Sequence, residues 1–84
     1  MKFIKGDVFT YILGPQLYYL RVTAVDMVYG RTKIRFDAFK NKKMEELLTF
    51  VTYTREEMDA YISNGSMTFI RHNIPNWEQR IGGD

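Results

Sequence analysis

The sequence predicts a small, mainly β domain with one short helix. Val, Ile, Phe, Tyr and Thr alternate with polar residues through most of the chain, which is the pattern of half-buried strands. Gly and Pro residues separate these segments in the way that turn residues do. Residues 54–65 differ, because they combine helix caps with an apolar stripe. With 84 residues the chain is long enough for one small core.

The first two strands are predicted on either side of a turn at Gly14-Pro15. Residues 8–13, VFTYIL, form a short apolar strand, which Pro15 ends because proline cannot donate to a ladder. A long strand follows, in which alternate residues from 18 to 24 share one face. The apolar positions then change phase, which predicts either a bulge near residues 24–26 or a sharp bend into a second sheet.

The clearest predicted hairpin turns at Gly30. Residues 31–39 alternate again, with Ile34, Phe36 and Ala38 on one face and charged residues on the other. This segment is therefore expected to bury one face in the core and to leave the other in solvent.

Two further strands are predicted, one before and one after the helix. Residues 47–53, LLTFVTY, are largely apolar on both faces, which favours a central position in the sheet. Residues 66–72, SMTFIRH, supply the final strand.

The helix has well-defined ends. Thr54 is suited to the N-cap, and Glu57 completes a capping box. Residues 64–65, Asn-Gly, predict a left-handed stop. A helix of about ten residues is marginal by itself in water, so we expect it to pack an apolar stripe onto the sheet. The alternative is that its acidic outer side meets a partner. The stripe consists of Met58, Tyr61 and Ile62.

Composition excludes several classes of protein. There is no cysteine, which excludes disulfides, thiolate zinc sites and thiol catalysis. Neither an apolar run long enough to span a membrane nor a secretory signal pattern occurs. The sequence therefore predicts a cytoplasmic protein that does not associate with membranes.

Catalytic motifs are also lacking. The one histidine, His72, has no nucleophile or carboxylate near it in the sequence. Asp26, Asp37 and His72 have no spacing that requires a metal site, and no glycine-rich phosphate loop occurs. We therefore expect a protein that is not an enzyme and has neither a cofactor nor a metal.

The order strand, long strand, strand, strand, short helix, strand resembles the small five-stranded barrels of the Src-homology and KOW type. The resemblance lies in the opening KGDVF, the long second strand and the helix before the final strand, and it covers residues 3–72. It implies a Src-homology-type barrel domain at residues 1–73, followed by a tail at residues 74–84 that is docked or loose. Barrels of this size mostly bind proteins or nucleic acids, although a fold does not fix a function.

Aromatic residues are the candidates for protein binding. The chain has six Tyr, six Phe and one Trp, which is many for so small a core, and Tyr and Trp commonly anchor interfaces. The alternative is that these side chains only cover sheet edges. The candidates, which fall out of phase with the apolar face or beyond the last strand, are Tyr11, Tyr19, Tyr29 and Trp77.

A basic segment supports a different function. Residues 31–43 hold six basic side chains and one acidic one, whereas residues 44–60 hold five acidic and one basic. The basic residues suit phosphates, with Phe39 and Tyr29 near enough to stack on bases. The alternatives are that the lysines protect edges, or that the acidic block neutralises them within the fold. The nucleic-acid candidates are Arg31, Lys33, Arg35, Phe39, Lys40, Lys42 and Lys43.

Together these patterns predict a small non-catalytic protein-interaction module, with nucleic-acid binding as the alternative. The partner is another protein or a second copy of the chain. In type the chain resembles the small accessory or inhibitory proteins of phages and mobile elements, which act by occupying a partner's surface.

Overall fold

The computed structural model describes residues 2–72, which form a five-stranded antiparallel sheet and a short helix. The helix α1 (Arg55–Ser63) lies between the last two strands, as predicted. The hydrogen-bonded order is β4-β3-β2-β1-β5. The mainly β class is therefore confirmed, whereas the tail at 74–84 lies outside the described residues. The strands are β1 (Asp7–Leu13), β2 (Gln16–Val28), β3 (Arg31–Phe39), β4 (Leu47–Thr54) and β5 (Met67–His72).

The sheet is strongly curled but is not closed into a barrel. Tyr11 on β1 and Tyr53 on β4 have ring centroids 6.3 Å apart, although a flat sheet would hold these strands about 14 Å apart. The curl gives the sheet a concave face. β4 and β5 are the two ends of the strand order and do not pair, so the predicted closure was wrong. Helix α1 contacts β3, β4 and β5, and its Met58 belongs to the same core as Phe9 and Phe36, so the helix lies on the concave side.

The phase change in β2 is a bulge rather than a bend into a second sheet. The register between β2 and β3 shifts between Val22 and Ala24, close to the predicted position. Val22 therefore faces the core, whereas Ala24 lies opposite the exposed Arg35 on the other face. The prediction that Ala24 shares the face of Val22 was wrong, because the bulge adds one residue to the strand.

The main core lies on the concave face. Phe9 and Phe36 are fully buried and meet edge to face, with ring centroids 6.1 Å apart. Met58 of α1 is also fully buried, so the helix closes this core, as its apolar stripe predicted. The buried members of the core are Phe3, Phe9, Leu20, Val22, Ile34, Phe36, Ala38, Met58 and Met67.

A second, smaller apolar cluster lies on the opposite, convex face. Val8, Phe39 and Met44 are buried there, with Tyr19 packed against them. The guanidinium of Arg21 lies over the Phe39 ring, 5.2 Å from its centroid. The sheet is therefore apolar on both faces at this point.

The predicted capping box of α1 is confirmed. The Thr54 hydroxyl accepts from the backbone N–H of Glu57 at 3.1 Å, and the Glu57 carboxylate accepts from the backbone N–H of Thr54 at 2.9 Å. At the other end the left-handed residue is Gly65, with φ of +85°, while Asn64 keeps a right-handed conformation. Both ends are thus specified by local sequence.

The predicted central position of β4 was wrong. β4 is an edge strand, and its residues from Leu47 to Phe50 are all exposed. Its apolar pattern is typical of a strand whose two faces are both covered. Among the described strands, however, only β3 pairs with β4, so β4 ends the sheet.

Candidate functional site

An open groove with aromatic walls lies on the concave face of the sheet. We call it the tyrosine groove. Its volume is about 360 Å³, which is within the range of small-ligand and peptide sites. Most of its lining is apolar, and Lys40 supplies the one charge. The lining residues are Tyr11, Leu13, Tyr18, Leu20, Ala38, Lys40, Leu48, Thr49, Val51 and Tyr53.

Two hairpins position the walls of the tyrosine groove. One wall is the hairpin of β1 and β2, whose two-residue turn has Gly14 at φ of +61°, a conformation that glycine adopts without strain. The other wall is β4, where the register shift between Ala38 and Phe39 leaves Leu48 as the extra residue. The shift directs Leu48 into the groove beside Thr49.

Tyrosine rings form a connected cluster at one end of the groove. The Tyr53 ring lies 6.3 Å from that of Tyr11 and 5.3 Å from that of Tyr61, centroid to centroid. Burial, followed by the neighbouring phenols of Tyr11 and Tyr61, raises the pKa of Tyr53 to about 12. Burial also raises the pKa of Tyr61. The phenols of Tyr53 and Tyr61 are therefore neutral hydrogen-bonding groups well above pH 7.

The predicted protein-binding aromatics lie in separate places. Tyr11 lines the tyrosine groove, whereas Tyr19 is half-buried on the convex face. Tyr29 is fully exposed, at 100%, at the tip of the β2–β3 hairpin. Trp77 lies outside the described residues. The structure thus brings none of the first three together.

Tyr18, Tyr53 and Leu48 are among the groove residues that the sequence did not single out as candidates. The period-two alternation placed Tyr18 on the face of Leu20 and Val22, and the structure confirms this. That alternation is a usable signal for the face on which Tyr18 lies, but it does not indicate whether that face is covered. Nothing in the sequence marked where the sheet would stay open.

The predicted nucleic-acid residues are exposed, apart from Phe39. Phe39 is only 3% exposed and packs in the convex cluster beneath Arg21. A buried ring cannot stack on a base, so Phe39 is removed from this set. The exposed side chains are Arg31, Lys33, Arg35, Lys40, Lys42 and Lys43.

Asp37 adds a negative charge to the convex face, on which Lys33 and Arg35 also lie, whereas Lys40 lines the concave tyrosine groove. The Asp37 carboxylate lies 3.6 Å from the guanidinium of Arg21. It borders a shallow convex groove of about 470 Å³, together with Arg35 and Phe50. Asp37 therefore reduces the positive charge of the convex face.

His72 has a structural partner that the sequence did not indicate. Its Nδ1 lies 2.8 Å from Oδ1 of Asp7, and Oδ2 of Asp7 accepts from the backbone N–H of Ile4 at 3.1 Å. Asp7 is buried at 3% exposure. The pair joins the start of β1 to the end of β5.

The remaining chemistry of residues 2–72 is limited. No group of three or more His, Asp or Glu side chains within this range is placed to hold a metal ion. Likewise, no helix of the described part has the length and apolarity needed to cross a bilayer. What the geometry offers is a concave apolar surface and a set of exposed cations.

Comparison of the chain with protein-family models, with curated proteins and with solved structures finds no match.

Proposed function

We propose that the chain is a small, non-catalytic protein-interaction module, which binds an extended apolar segment of a partner protein in the tyrosine groove. The observation that supports this is the exposure of the groove's apolar sides. Leu13 on one side is 56% exposed and Leu48 on the other is 45% exposed. Covering such side chains in a concave site removes apolar surface from water and stabilises the complex.

The lining also indicates which kind of segment fits. Tyr11, Tyr18 and Tyr53 offer flat rings with phenol groups, which can contact apolar side chains and hydrogen-bond to a peptide backbone. Lys40 at the side of the groove favours an acidic residue in the ligand. The expected ligand is therefore an extended segment with two or three apolar side chains and one carboxylate.

A finer description of the fold belongs to the same proposal. The helix before the final strand and the pairing of β1 with β5 support an open relative of the Src-homology-type arrangement. Such a module would act by occupying a partner's surface, in the manner of the phage-type accessory or inhibitory proteins that the chain resembles.

Selection from a random display library of twelve-residue peptides on the immobilised full chain tests this function. The selected peptides are then synthesised, and their affinities are measured by calorimetry. Leu13→Lys should weaken binding at least about tenfold, because a charge would enter an apolar contact. Ile12→Lys is the matched control, since Ile12 is 55% exposed but lies on the opposite face of β1.

Two results would contradict the proposal. One is that no peptide is enriched over the bare matrix. The other is that the Leu13→Lys and Ile12→Lys variants bind the selected peptides equally well.

A second candidate function, nucleic-acid binding, is favoured by one observation. The ion pairs within residues 2–72 join Arg21 to Asp37 and His72 to Asp7, so no carboxylate of that range forms a salt bridge with the strand cations Arg31, Lys33 and Arg35. Exposed cations on one strand face can contact successive phosphates.

The nucleic-acid proposal is tested with mixed-sequence single-stranded and duplex DNA at about 50 and 200 mM salt, a range over which phosphate contacts weaken strongly. Lys33→Glu combined with Arg35→Glu should abolish a salt-sensitive complex. Lys2→Glu with Lys5→Glu makes the same change of charge away from β3 and should retain binding. Equal loss in both double variants would indicate a net-charge effect and would argue against a site on β3.

A further inference from the structure

The free edge of β4 lacks the features that usually protect a strand edge. Edge strands present unpaired N–H and C=O groups, and charged residues, prolines or bulges normally prevent other chains from pairing with them. β4, Leu47–Thr54, contains neither a charged residue nor a proline. Its register shift lies beside Leu47 and Leu48, so residues 49–54 remain a regular edge.

The side chains of β4 also suit a covered strand better than an edge. Phe50 is 65% exposed on the convex face, while Val51 and Tyr53 pack against the core on the concave face. A strand added at the open edge would place a side chain against the Phe50 ring, because directly opposite residues of two paired strands share a face and contact each other. The strand has a neighbour on one side only among those described.

We propose that two copies of the chain pair through β4, antiparallel and about a two-fold axis at Val51. The absence of charge makes this strand self-complementary, because no like charges would be opposed along the seam. In this register Val51 lies opposite Val51 of the second copy, Phe50 opposite Thr52, and Thr49 opposite Tyr53. Pairs of aromatic and β-branched side chains are among those that stabilise neighbouring strands.

The charges that flank the seam fit the same register. On the convex face of one copy, Asp37 of β3 lies beside Phe50, and Arg35 lies beside Thr52. Pairing Phe50 with the second copy's Thr52 therefore makes a row of four side chains across four neighbouring strands. Asp37 of one chain lies at one end of this row, and Arg35 of the other chain lies at the other end. They would be separated by three strand spacings, about 14 Å. Salt screens most of the attraction at this distance, and neither row opposes like charges, so a second copy meets no electrostatic barrier at this edge.

The small size of the contact sets the strength of the dimer. Stable interfaces bury roughly 1,200 to 2,000 Å², whereas a seam of five residues per chain, with Phe50 as its main exposed side chain, lies at the low end. The dimer should therefore depend on concentration, with a dissociation constant on the order of 10 to 100 μM. This inference goes beyond the peptide-binding proposal, because the seam uses the backbone edge of β4 and the groove uses its concave side.

Sedimentation velocity of the full chain, from about 5 to 500 μM so as to span that constant, is the direct test. The unaltered chain should shift from monomer to dimer with concentration. Thr52→Lys should raise the dissociation constant at least about tenfold, because each dimer would bring two new positive charges to the seam. Thr68→Lys makes the same change in the other edge strand, β5, and should leave the constant unchanged. A monomer at every concentration, or equal effects of the two variants, would overturn the proposal.

Cross-linking tests the register separately. The chain has no cysteine, so Val51→Cys introduces a single thiol at the proposed axis, where directly opposed Cβ atoms come within reach of a disulfide. Added diamide accepts the two electrons and two protons that the thiols lose. Val51→Cys should then form a covalent dimer much faster than Thr68→Cys at the same concentration. Equal rates for the two variants would overturn the proposed axis.

Discussion

Replacing Asp7 should destabilise the protein more than any other single loss of a polar group among the described residues. Asp7 is 3% exposed, and its two carboxylate oxygens bind the backbone N–H of Ile4 and the ring of His72. Asp7→Ala removes both hydrogen bonds and leaves the Ile4 N–H without its acceptor. A buried polar group left unpaired costs about 1 to 3 kcal/mol, and a hydrogen bond to a charged group contributes about 1.5 to 3 kcal/mol.

The His72 side chain is 31% exposed and Ile4 is 44% exposed, so water would replace part of both contacts that are lost. We therefore expect Asp7→Ala to lower the free energy of unfolding by about 2 to 4 kcal/mol. Asp7→Asn keeps an acceptor for Ile4 and should cost about half as much, because only the contribution of the charge is lost.

Urea unfolding followed by far-ultraviolet circular dichroism measures both changes. The dependence of the unfolding free energy on urea concentration should be the same in each variant. Asp26→Ala is the control, since Asp26 is exposed on β2. If Asp7→Ala changed the unfolding free energy by no more than Asp26→Ala does, the link between β1 and β5 would not contribute to stability.

Three further predictions concern single residues. Thr54→Ala should cost about 1 kcal/mol of stability through the lost cap and should leave peptide affinity unchanged; weakened binding at unchanged stability would show that α1 meets the partner. Because the pKa of Tyr53 is about 12 when folded and 10.0 in a model phenol, the unfolded chain loses this proton first, so the unfolding free energy should fall as pH rises from 10 to 12. In Tyr53→Phe, the unfolding free energy measured by urea titration should depend less on pH between 10 and 12. An unchanged pH dependence would mean that other groups cause it. Tyr29→Asn should raise stability by about 0.5 kcal/mol in thermal unfolding, because Tyr29 has φ of +51°, a conformation that asparagine tolerates better; a lower melting temperature would refute the strain.

Local features of the fold were predictable from the sequence. The capping box of α1 depends on two residues three positions apart, Thr54 and Glu57, and the bulge in β2 on a change of phase within one strand. The alternation in β3 correctly separated the buried Ile34 and Phe36 from the exposed Lys33 and Arg35. In each case the chemistry that decides the structure lies within a few neighbouring residues.

Features that depend on the meeting of distant strands were not predictable in this way. The apolar pattern of β4 indicates that both of its faces contact apolar groups, but it does not say whether a neighbour in the same chain supplies the second contact. The tyrosine groove exists because the curled sheet brings Tyr11 and Tyr18 of one hairpin near Tyr53 of β4. Asp7 and His72 are 65 residues apart, so no local spacing could relate them.

The pairing of the last strand with the first has a consequence for the order of folding. β1 to β4 follow one another as adjacent hairpins, whereas β5 must return to β1 from the far end of the described chain. Contacts between residues that are close in sequence form faster than those that must close a long loop. We therefore expect β5 to join last, so that during synthesis or refolding the edge of β1 stays open until β5 has been made and has folded back. A strand from another molecule that pairs with β1 in that interval would compete with β5, which makes this edge the expected site of strand exchange between folding chains.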